Sequence, residues 1–468
     1  MSIVNLVTIF IPVKRWRRGA RNSLRRLITI KEIMGKCRDY FAGPAEKIRR
    51  LTDIGDDALP RLQELSRKDY RYCQKGYGAR IALIREKARR GEKIRVCFLV
   101  NFAAAFAARP VFEKMLGDSF FDPFILVSPF VNTYEKADEI KEYEKTYAEL
   151  STAYKNVFRA YDASTTGGQY VDFMDRMDIA FIPTNDQTRE PIMYRIYNFV
   201  KHGVPTLMVY YGYRTLAAEM FFTDTTALLW KLFTENKISD RELRDGGLDN
   251  TVLSGCPNVD KMAAAKPVPR NRKKIIIAPH HSITGIGLDS QFLKYADLFV
   301  ELPRLYPDID FVFRPHPLLK NALYHHPLWG REKTDKYFEK LLLASNIVFD
   351  DNGEYFDLFL NSDAIIHDCG SFLPEYLFSE HPAAYMADSA KNIYRNRNDF
   401  SKMCLDHYYQ CFAREDIINF IDKVVVGGID SMKDKRAAFV DSSLLKINYP
   451  HISEFIVCFV KKAIVASE

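Results

Sequence analysis

The stretch from Ala364 to Pro382 reads AIIHDCGSFLPEYLFSEHP, and its character changes within a few residues. An apolar run stops at Asp368, and small or polar residues then lead into a segment with helical character. A buried strand that passes directly into a helix is typical of parallel α/β sheets. The stretch therefore predicts a strand-to-helix corner with polar residues at the carboxyl end of a strand.

The residues of this corner are suited to holding an anion. Gly370 and Ser371 permit a tight turn, and Pro374 falls in the first turn of the expected helix, where proline is tolerated. Free backbone N–H groups at such a helix start, together with the Ser371 hydroxyl, form an anion site, and Glu375 could accept hydrogen bonds from a ribose diol. The alternative is a plain N-cap serine with a solvated glutamate.

Two further strand ends carry polar residues that belong with this corner. The segment DFVFRPHP places Arg314 and His316 after a strand, and the proline that follows the histidine stops any helix and exposes the imidazole. The segment IIIAPHHS ends another strand with His280, His281 and Ser282. Because parallel strands end at one edge of their sheet, we expect the three corners to converge on one mouth.

Strands and helices alternate along most of the chain, so the sequence predicts parallel sheets covered by helices. A stretch rich in proline, alanine and basic residues at 254–274 separates two runs of this alternation, and a ligand cleft is expected between the two resulting domains. The predicted segments are a basic, amphipathic and helical N-terminal extension (1–92), an acceptor domain (93–262), a nucleotide-donor domain (275–397) and a helical tail (398–468).

Composition excludes several classes of protein. Of the 468 residues, 47% are hydrophobic and 27% are charged, without repeats or low-complexity segments, so a two-domain globular chain is expected rather than a disordered or fibrous one. The eight cysteines are scattered and include no C-x-x-C pair, which favours a reducing compartment and indicates neither a disulfide framework nor a structural zinc site.

The basic excess belongs to the N-terminus. Eight lysines and arginines precede the first acidic residue, Glu32, and subtracting them from the net charge of +7 leaves −1 for the rest. The body of the protein is therefore electrically balanced, and no nucleic-acid-binding face is expected.

The N-terminal segment is expected to lie on a membrane surface. Its apolar run of roughly ten residues is about half the ~20 needed to span a bilayer, and the order of charges argues against a signal peptide. Trp16, Arg17 and Arg18 suit contact with an anionic cytoplasmic leaflet, which predicts a cytoplasmic protein peripheral to the cytoplasmic membrane. The alternative is a helix packed on its own domain with a solvated basic face.

Four segments resemble, in order, motifs of the CDP-glycerol:glycerophosphate glycerophosphotransferase family, the teichoic-acid polymerases, primases and their capsule-synthesis relatives. They are SGCPNVDKM, KKIIIAPHHS, FRPHP and LFLNSDAIIHDCGSFLPEYLFSEHPAAYM. The resemblance implies an α/β, GT-B-like fold of two Rossmann-like parallel-sheet domains facing a cleft. It also implies transfer of glycerol or ribitol phosphate from a CDP-linked donor to a cell-surface polymer or lipid-linked acceptor, with release of CMP.

The resemblance also implies roles for individual residues. His316 matches a histidine that stabilises the donor phosphate, and we expect a neighbouring phosphate to raise its pKa and keep it protonated. Tyr211 stands where the family has its presumed general base, although a tyrosine is a poor base at neutral pH. Arg214 is a candidate for contact with an anionic acceptor or donor. The predicted nucleotide- and phosphate-binding set is His280, His281, Ser282, Arg314, Asp368, Gly370, Ser371 and Glu375.

Other functions remain open on the sequence. The corner DCGS departs from the family's DYSS and is similar to the TDSGG of UDP-N-acetylglucosamine 2-epimerase-like proteins, in which the glutamate matching Glu375 holds the ribose. The alternatives are a GT-B glycosyltransferase of capsule or lipopolysaccharide synthesis, an epimerase, and a non-catalytic membrane-bound scaffold. No cofactor is firmly implied, no acidic cluster has convincing metal spacing, and a divalent-metal requirement is left open.

Overall fold

The computed structural model describes the backbone of most of the chain from residue 67 onward. The residues predicted to contact a membrane, Trp16, Arg17 and Arg18, lie outside the described residues. Among the helices that are described, none combines the length and the apolar character needed to cross a bilayer. The described ranges are 67–130, 136–165, 168–184, 190–216, 224–283 and 290–466.

The first sheet has seven parallel strands and is flanked by a small antiparallel hairpin. Its strands are β1 (Ile94–Val100), β2 (Phe121–Val127), β3 (Val157–Arg159), β6 (Ile179–Phe181), β7 (Thr206–Val209), β8 (Lys231–Thr234) and β9 (Thr251–Leu253), and the hairpin is β4 (Tyr161–Asp162) with β5 (Gln169–Tyr170). The spatial order is β3-β2-β1-β6-β7-β8-β9. The strand β1 reads IRVCFLV and is buried along almost its whole length, as expected of a central parallel strand covered on both faces.

The second sheet has six parallel strands, in the order β12-β11-β10-β13-β14-β15. They are β10 (Lys273–Ala278), β11 (Ile309–Phe313), β12 (Ile347–Phe349), β13 (Ala364–His367), β14 (Ala383–Met386) and β15 (Tyr409–Cys411). The chain leaves β10 toward β11 and β12, then returns to the other side of β10 with β13 and proceeds outward. The reversal of direction lies between β10 and β13, which is where open α/β sheets form a ligand crevice.

Helices cover both sheets and connect most of the strands. They are α1 (Arg67–Arg89), α2 (Arg109–Leu116), α3 (Lys136–Ala153), α4 (Ile196–Lys201), α5 (Asp224–Leu228), α6 (Lys237–Asp245), α7 (Asp260–Ala264), α8 (Phe292–Leu305), α9 (Leu319–Tyr324), α10 (Gly330–Leu341), α11 (Phe356–Leu360), α12 (Phe372–Glu375), α13 (Asp399–Leu405), α14 (Arg414–Asn419), α15 (Lys433–Val440) and α16 (Ile452–Val465). A π-helical turn, Phe420–Val426, directly follows α14.

The last helix returns from the second domain to the first. α16 packs against α1 and α2, and its inward side carries buried aliphatic residues such as Ile456 and Val460. Arg85 Nε donates to the carbonyl of Ile464 at 2.8 Å, and Lys461 pairs with Asp118 at 3.0 Å. The end of the chain therefore packs on the helices of the first domain.

The structure confirms the prediction of two parallel-sheet domains from the α/β alternation. The four predicted segment boundaries stay predictions, but one strand falls where only helices were expected. β15 lies within the segment 398–468 and adds an edge strand to the second sheet. Its three residues are too short a run to show an apolar alternation of their own.

Candidate functional site

The three predicted strand ends meet at one edge of the second sheet. His280 and His281 follow β10, and His316 follows the neighbouring strand β11. Their rings form a compact cluster: the centroids of His281 and His316 lie 4.0 Å apart, those of His280 and His281 4.2 Å, and those of His280 and His316 4.9 Å. All three residues are partly accessible, so the histidine cluster faces an open edge rather than the core.

Asp368 joins this cluster to the corner after β13. Its carboxylate accepts the backbone N–H of His280 at 2.6 Å on one oxygen, and the other accepts Gln291 N–H at 2.6 Å and the Ser290 hydroxyl at 3.0 Å. Burial raises the pKa of Asp368 to about 6, although these hydrogen bonds oppose the rise. With both oxygens occupied, Asp368 positions the loop after β10 and leaves phosphate contact to its neighbours.

Without a bound anion, the surroundings of the three histidines lower their pKa values and favour the neutral imidazoles; protonation of His316 beside a phosphate stays a prediction. Burial and then the two neighbouring imidazoles lower the pKa of His316 to about 3. Burial, His281 and then Arg397 lower the pKa of His280 to about 4, and burial also lowers that of His281. The described residues place no carboxylate against the rings to offset this, so protonation would need a bound anion.

Hydrogen bonding fixes the proton of neutral His316 on one nitrogen. The backbone N–H of Leu318 donates to Nδ1 at 3.1 Å, so the single ring proton resides on Nε2. The nitrogens of the three rings lie within 4.8 Å of one another and are thus within reach of a single cation. The occupied Nδ1 and protonated Nε2 argue against His316 as a metal ligand, whereas an Nε2–H donor suits a phosphate oxygen.

The corner at Gly370 and Ser371 is more enclosed than the sequence suggested. α12 has only four residues, and the Ser371 hydroxyl contacts Cys369 Sγ at 3.1 Å without capping the helix. A Cβ placed on Gly370 would lie 2.8 Å from Thr215 Oγ1 of the first domain. The absence of a side chain at Gly370 therefore serves close packing between the domains.

Glu375 is buried beneath the same interdomain contact. Its carboxyl is fully buried, and Tyr355 donates a hydrogen bond to Oε2 at 2.7 Å. A Cβ built on Gly212 would come within 3.1 Å of the other oxygen, which has no hydrogen-bond partner among the described residues. A ribose could reach this carboxyl only if the loop carrying Gly212 moved away.

Because burial raises the pKa of Glu375 to about 8, from 4.5 for an ordinary glutamate, we expect its ionisation to weaken the fold. Below pH 4.5 the Glu375 carboxyl is protonated in both the folded and the unfolded protein, so it costs the fold no stability. Between pH 4.5 and pH 8 the carboxyl ionises in the unfolded protein but stays protonated in the folded one. Each pH unit toward 8 then removes up to ~1.4 kcal/mol. Glu375→Gln should therefore unfold at a higher urea concentration than wild type at pH 8, and the difference should shrink at pH 5.

The matched control for this titration is Glu339→Gln, since Glu339 is exposed on α10. Its denaturation curves should follow those of wild type at both pH values. Parallel pH dependences for wild type and Glu375→Gln would contradict a buried, protonated carboxyl.

Arg214 and Tyr211 lie on the loop after β7, but only Tyr211 faces solvent. Arg214 Nε donates to Glu235 Oε1 at 3.0 Å, and the two side chains are 4% and 2% exposed. Arg214 is thereby committed to a buried ion pair and does not reach a substrate in this arrangement. Tyr211 is 46% exposed, while protein atoms around its hydroxyl and the nearby Glu375 raise its pKa, so it stays protonated at neutral pH.

Arg314 is also engaged by the protein. Its guanidinium donates to the Asp350 carboxylate and to the carbonyl of Asn352, and it stacks over the ring of Tyr355 at 5.1 Å. These contacts hold the loop after β12 against the end of β11. Ser282, in contrast, accompanies the histidines, with its hydroxyl 2.8 Å from His280 Nδ1.

The groove between the domains contains charged residues that the sequence analysis missed. Glu354 of the second domain pairs with Arg109 at 3.4 Å and with Lys261 at 2.8 Å. Beside this bridge a cavity of about 380 Å³ is lined by both domains, including Ala104, Arg109 and Gly353. Arg109 opens α2 and Glu354 lies in a loop, so neither has a local sequence signal that pairs it with the other.

Comparisons with known proteins define the fold. No protein-family model matches the chain, and no curated protein matches it. The chain is similar to a putative UDP-N-acetylglucosamine 2-epimerase from Listeria monocytogenes, at 12% identity and a TM-score of 0.52 over 80% of this chain and 98% of that one. It is also similar to S. aureus MnaA in a co-structure with UDP, at 13% identity and a TM-score of 0.51 over the same shares.

A third solved structure is the wall teichoic acid polymerase TagF, at 14% identity and a TM-score of 0.46 over 95% of this chain and 98% of that one. We draw no argument from the likeness to TagF, because its TM-score is below 0.5. The likeness to the first two structures, at 12% and 13% identity, establishes the fold alone. The two parallel sheets and the likeness to the first two structures confirm the predicted GT-B-like architecture.

Proposed function

We propose that this protein is a membrane-associated transferase that moves a polyol phosphate, glycerol or ribitol phosphate, from a CDP-linked donor to a cell-surface polymer or lipid-linked acceptor, releasing CMP. The observation that carries the proposal is the histidine cluster at the carboxyl edge of β10 and β11. One of these two strands, β10, borders the strand-order reversal between β10 and β13 of a GT-B-like domain, where nucleotide ligands are expected.

The proposed reaction is a displacement at phosphorus. An oxygen of the acceptor hydroxyl forms a bond to the phosphorus that bears the polyol, and the bond from that phosphorus to the bridging oxygen of CMP breaks. CMP leaves with the electron pair of that bond. Catalysis then depends on alignment and on neutralising charge on the phosphate oxygens.

His316 would act first as a neutral donor. Its Nε2–H can bond a phosphate oxygen without prior protonation, because Leu318 N–H occupies Nδ1. A bound dianion beside the cluster would then raise the imidazole pKa values and allow a proton to be held as charge accumulates.

The acceptor proton needs a base that is unprotonated at neutral pH. Tyr211 does not meet this condition, whereas the imidazoles of the cluster do. In His281 the buried Nδ1 has no hydrogen-bond partner among the described residues, so no such bond fixes which ring nitrogen carries the proton. We therefore assign the role of general base to the histidine cluster, and we assign no catalytic role to Tyr211.

The proposal is tested by offering the purified protein CDP-glycerol, CDP-ribitol and several sugar nucleotides with candidate lipid-linked acceptors. We expect acceptor-dependent CMP release from a CDP-polyol. Release of UDP or GDP from a sugar nucleotide instead would favour the second candidate, a GT-B glycosyltransferase of capsule or lipopolysaccharide synthesis. Absence of nucleotide release and of nucleotide binding would favour a scaffold.

A further inference from the structure

A second cavity lies at the carboxyl ends of β13 and β14, next to the corner that carries Asp368. Its volume is about 70 Å³, it is open to solvent, and the exposed residues Asp388 and Asn392 stand at its rim. Its wall contains a buried arginine that the mechanism above does not use. The lining residues that matter here are Asp368, Tyr385, Asp388, Asn392, Arg395 and Arg397.

Arg397 is buried but lacks an anionic partner. The residue is 7% exposed; its Nε donates to the carbonyl of Ile393 at 3.1 Å, and its Nη2 donates to the Tyr385 hydroxyl. Its Nη1 is buried and has no hydrogen-bond partner, and within the described ranges it forms no ion pair with a carboxylate. The other buried arginines among the described residues, Arg214, Arg314 and Arg436, each pair with a carboxylate.

A buried guanidinium without a counter-charge is unfavourable, since desolvation of a cation is offset only by an anion and by complete hydrogen bonding. Two carboxyl groups line the cavity: Asp368 already accepts hydrogen bonds from His280, Ser290 and Gln291, and Asp388 is exposed and forms no ion pair with Arg397 in the described structure. The missing partner is therefore expected from outside the chain. A planar guanidinium with a free N–H matches a phosphate oxygen well.

The rim of the cavity carries polar side chains that could bind the hydroxyl groups of a ligand. Asp388 is exposed and accepts a hydrogen bond from Asn392 Nδ2 on Oδ2 at 2.7 Å, and its other oxygen accepts no hydrogen bond from the described residues. A carboxylate beside an amide suits vicinal hydroxyl groups. Arg397 is also close enough to His280 to affect its imidazole pKa, after burial and His281, which places the cavity beside the histidine cluster.

We propose that this cavity binds a polyol phosphate, with the phosphate on Arg397 Nη1 and a hydroxyl of the polyol on Asp388. The identity of the polyol rests on the proposed function, whereas the anion site rests on Arg397 alone. The polyol phosphate has two sources, the donor and the growing end of the acceptor, and both present the same chemistry to the cavity.

The test is titration calorimetry of the full chain with sn-glycerol 3-phosphate, inorganic phosphate and glycerol. Arg397→Gln should weaken binding of both phosphates by roughly 10-fold or more, the scale of a charge-assisted hydrogen bond. Asp388→Asn, on the exposed rim, should weaken glycerol 3-phosphate but leave inorganic phosphate unchanged. Lys391→Gln removes a charge from the same exposed segment and should change neither.

Titrations with CMP and CDP-glycerol separate the two sources and the two proposals. If the cavity holds the donor's polyol phosphate, Arg397→Gln removes the affinity advantage of CDP-glycerol over CMP; if it holds the acceptor end, that advantage persists. Wild-type affinity for glycerol 3-phosphate in Arg397→Gln, or no saturable binding in wild type, overturns the cavity assignment. CMP binding that survives either result leaves the proposed function standing.

Discussion

We expect His316→Ala to lower the rate of CMP release by roughly 100-fold to 10 000-fold, the range for loss of a positioned proton donor or oxyanion stabiliser. The substitution removes the Nε2–H that Leu318 orients, and it breaks up the three-ring cluster. Steady-state CMP release in the presence of acceptor measures the effect, and the change should appear in kcat rather than in the affinity for CMP.

Two variants make this result specific. His325→Ala removes an exposed histidine after α9 and should keep wild-type turnover, which controls for loss of an imidazole in the same domain. His316→Gln, which keeps a side-chain N–H donor, should recover part of the lost rate if His316 acts as a donor. Full turnover in His316→Ala would refute the role assigned to it.

The largest expected effect on stability belongs to Arg214→Met. Its pairing with Glu235 is buried on both sides, so removal of one partner leaves an uncompensated carboxylate and should lower the free energy of unfolding by about 3–5 kcal/mol. Urea denaturation measures the loss. The double variant Arg214→Met/Glu235→Met, which removes both charges, should recover most of it.

The control for the ion pair is Arg244→Met, which removes a 47%-exposed partner of Asp240 and should cost about 0–1 kcal/mol. The double variant also tests the catalytic role predicted for Arg214 from the sequence. Wild-type CMP release by a stable double variant would show that Arg214 stabilises the fold and is not needed for catalysis. A stable double variant without activity would contradict a purely structural role.

The sequence was most informative where polar residues directly follow predicted strands. The alternation of apolar runs with helical segments predicted both parallel sheets, and the convergence of three polar strand ends predicted that His280, His281 and His316 would lie together. Both inferences depend on one geometric regularity, that parallel strands end at a common edge. That regularity needs no knowledge of how the domains dock.

The sequence was least informative where one domain covers the other. Gly370 and Glu375 read as ligand contacts, yet the loop after β7 packs against both. Arg214 read as a candidate contact for an anionic acceptor or donor, yet in the structure it pairs with Glu235, twenty-one residues further on. Nothing local to Arg397 distinguishes it from exposed Arg395, because its burial arises from β14 and the segment that follows it.

The most direct test of the central claim follows the phosphorus itself. CDP-glycerol labelled with ³²P in the phosphate that bears the glycerol is incubated with the protein and a lipid-linked acceptor, and the products are separated. Transfer at the histidine cluster predicts that label appears in the acceptor product and that the released CMP is unlabelled. Label retained in a released nucleoside diphosphate would mean that the attacked atom is carbon, and would contradict the proposed reaction.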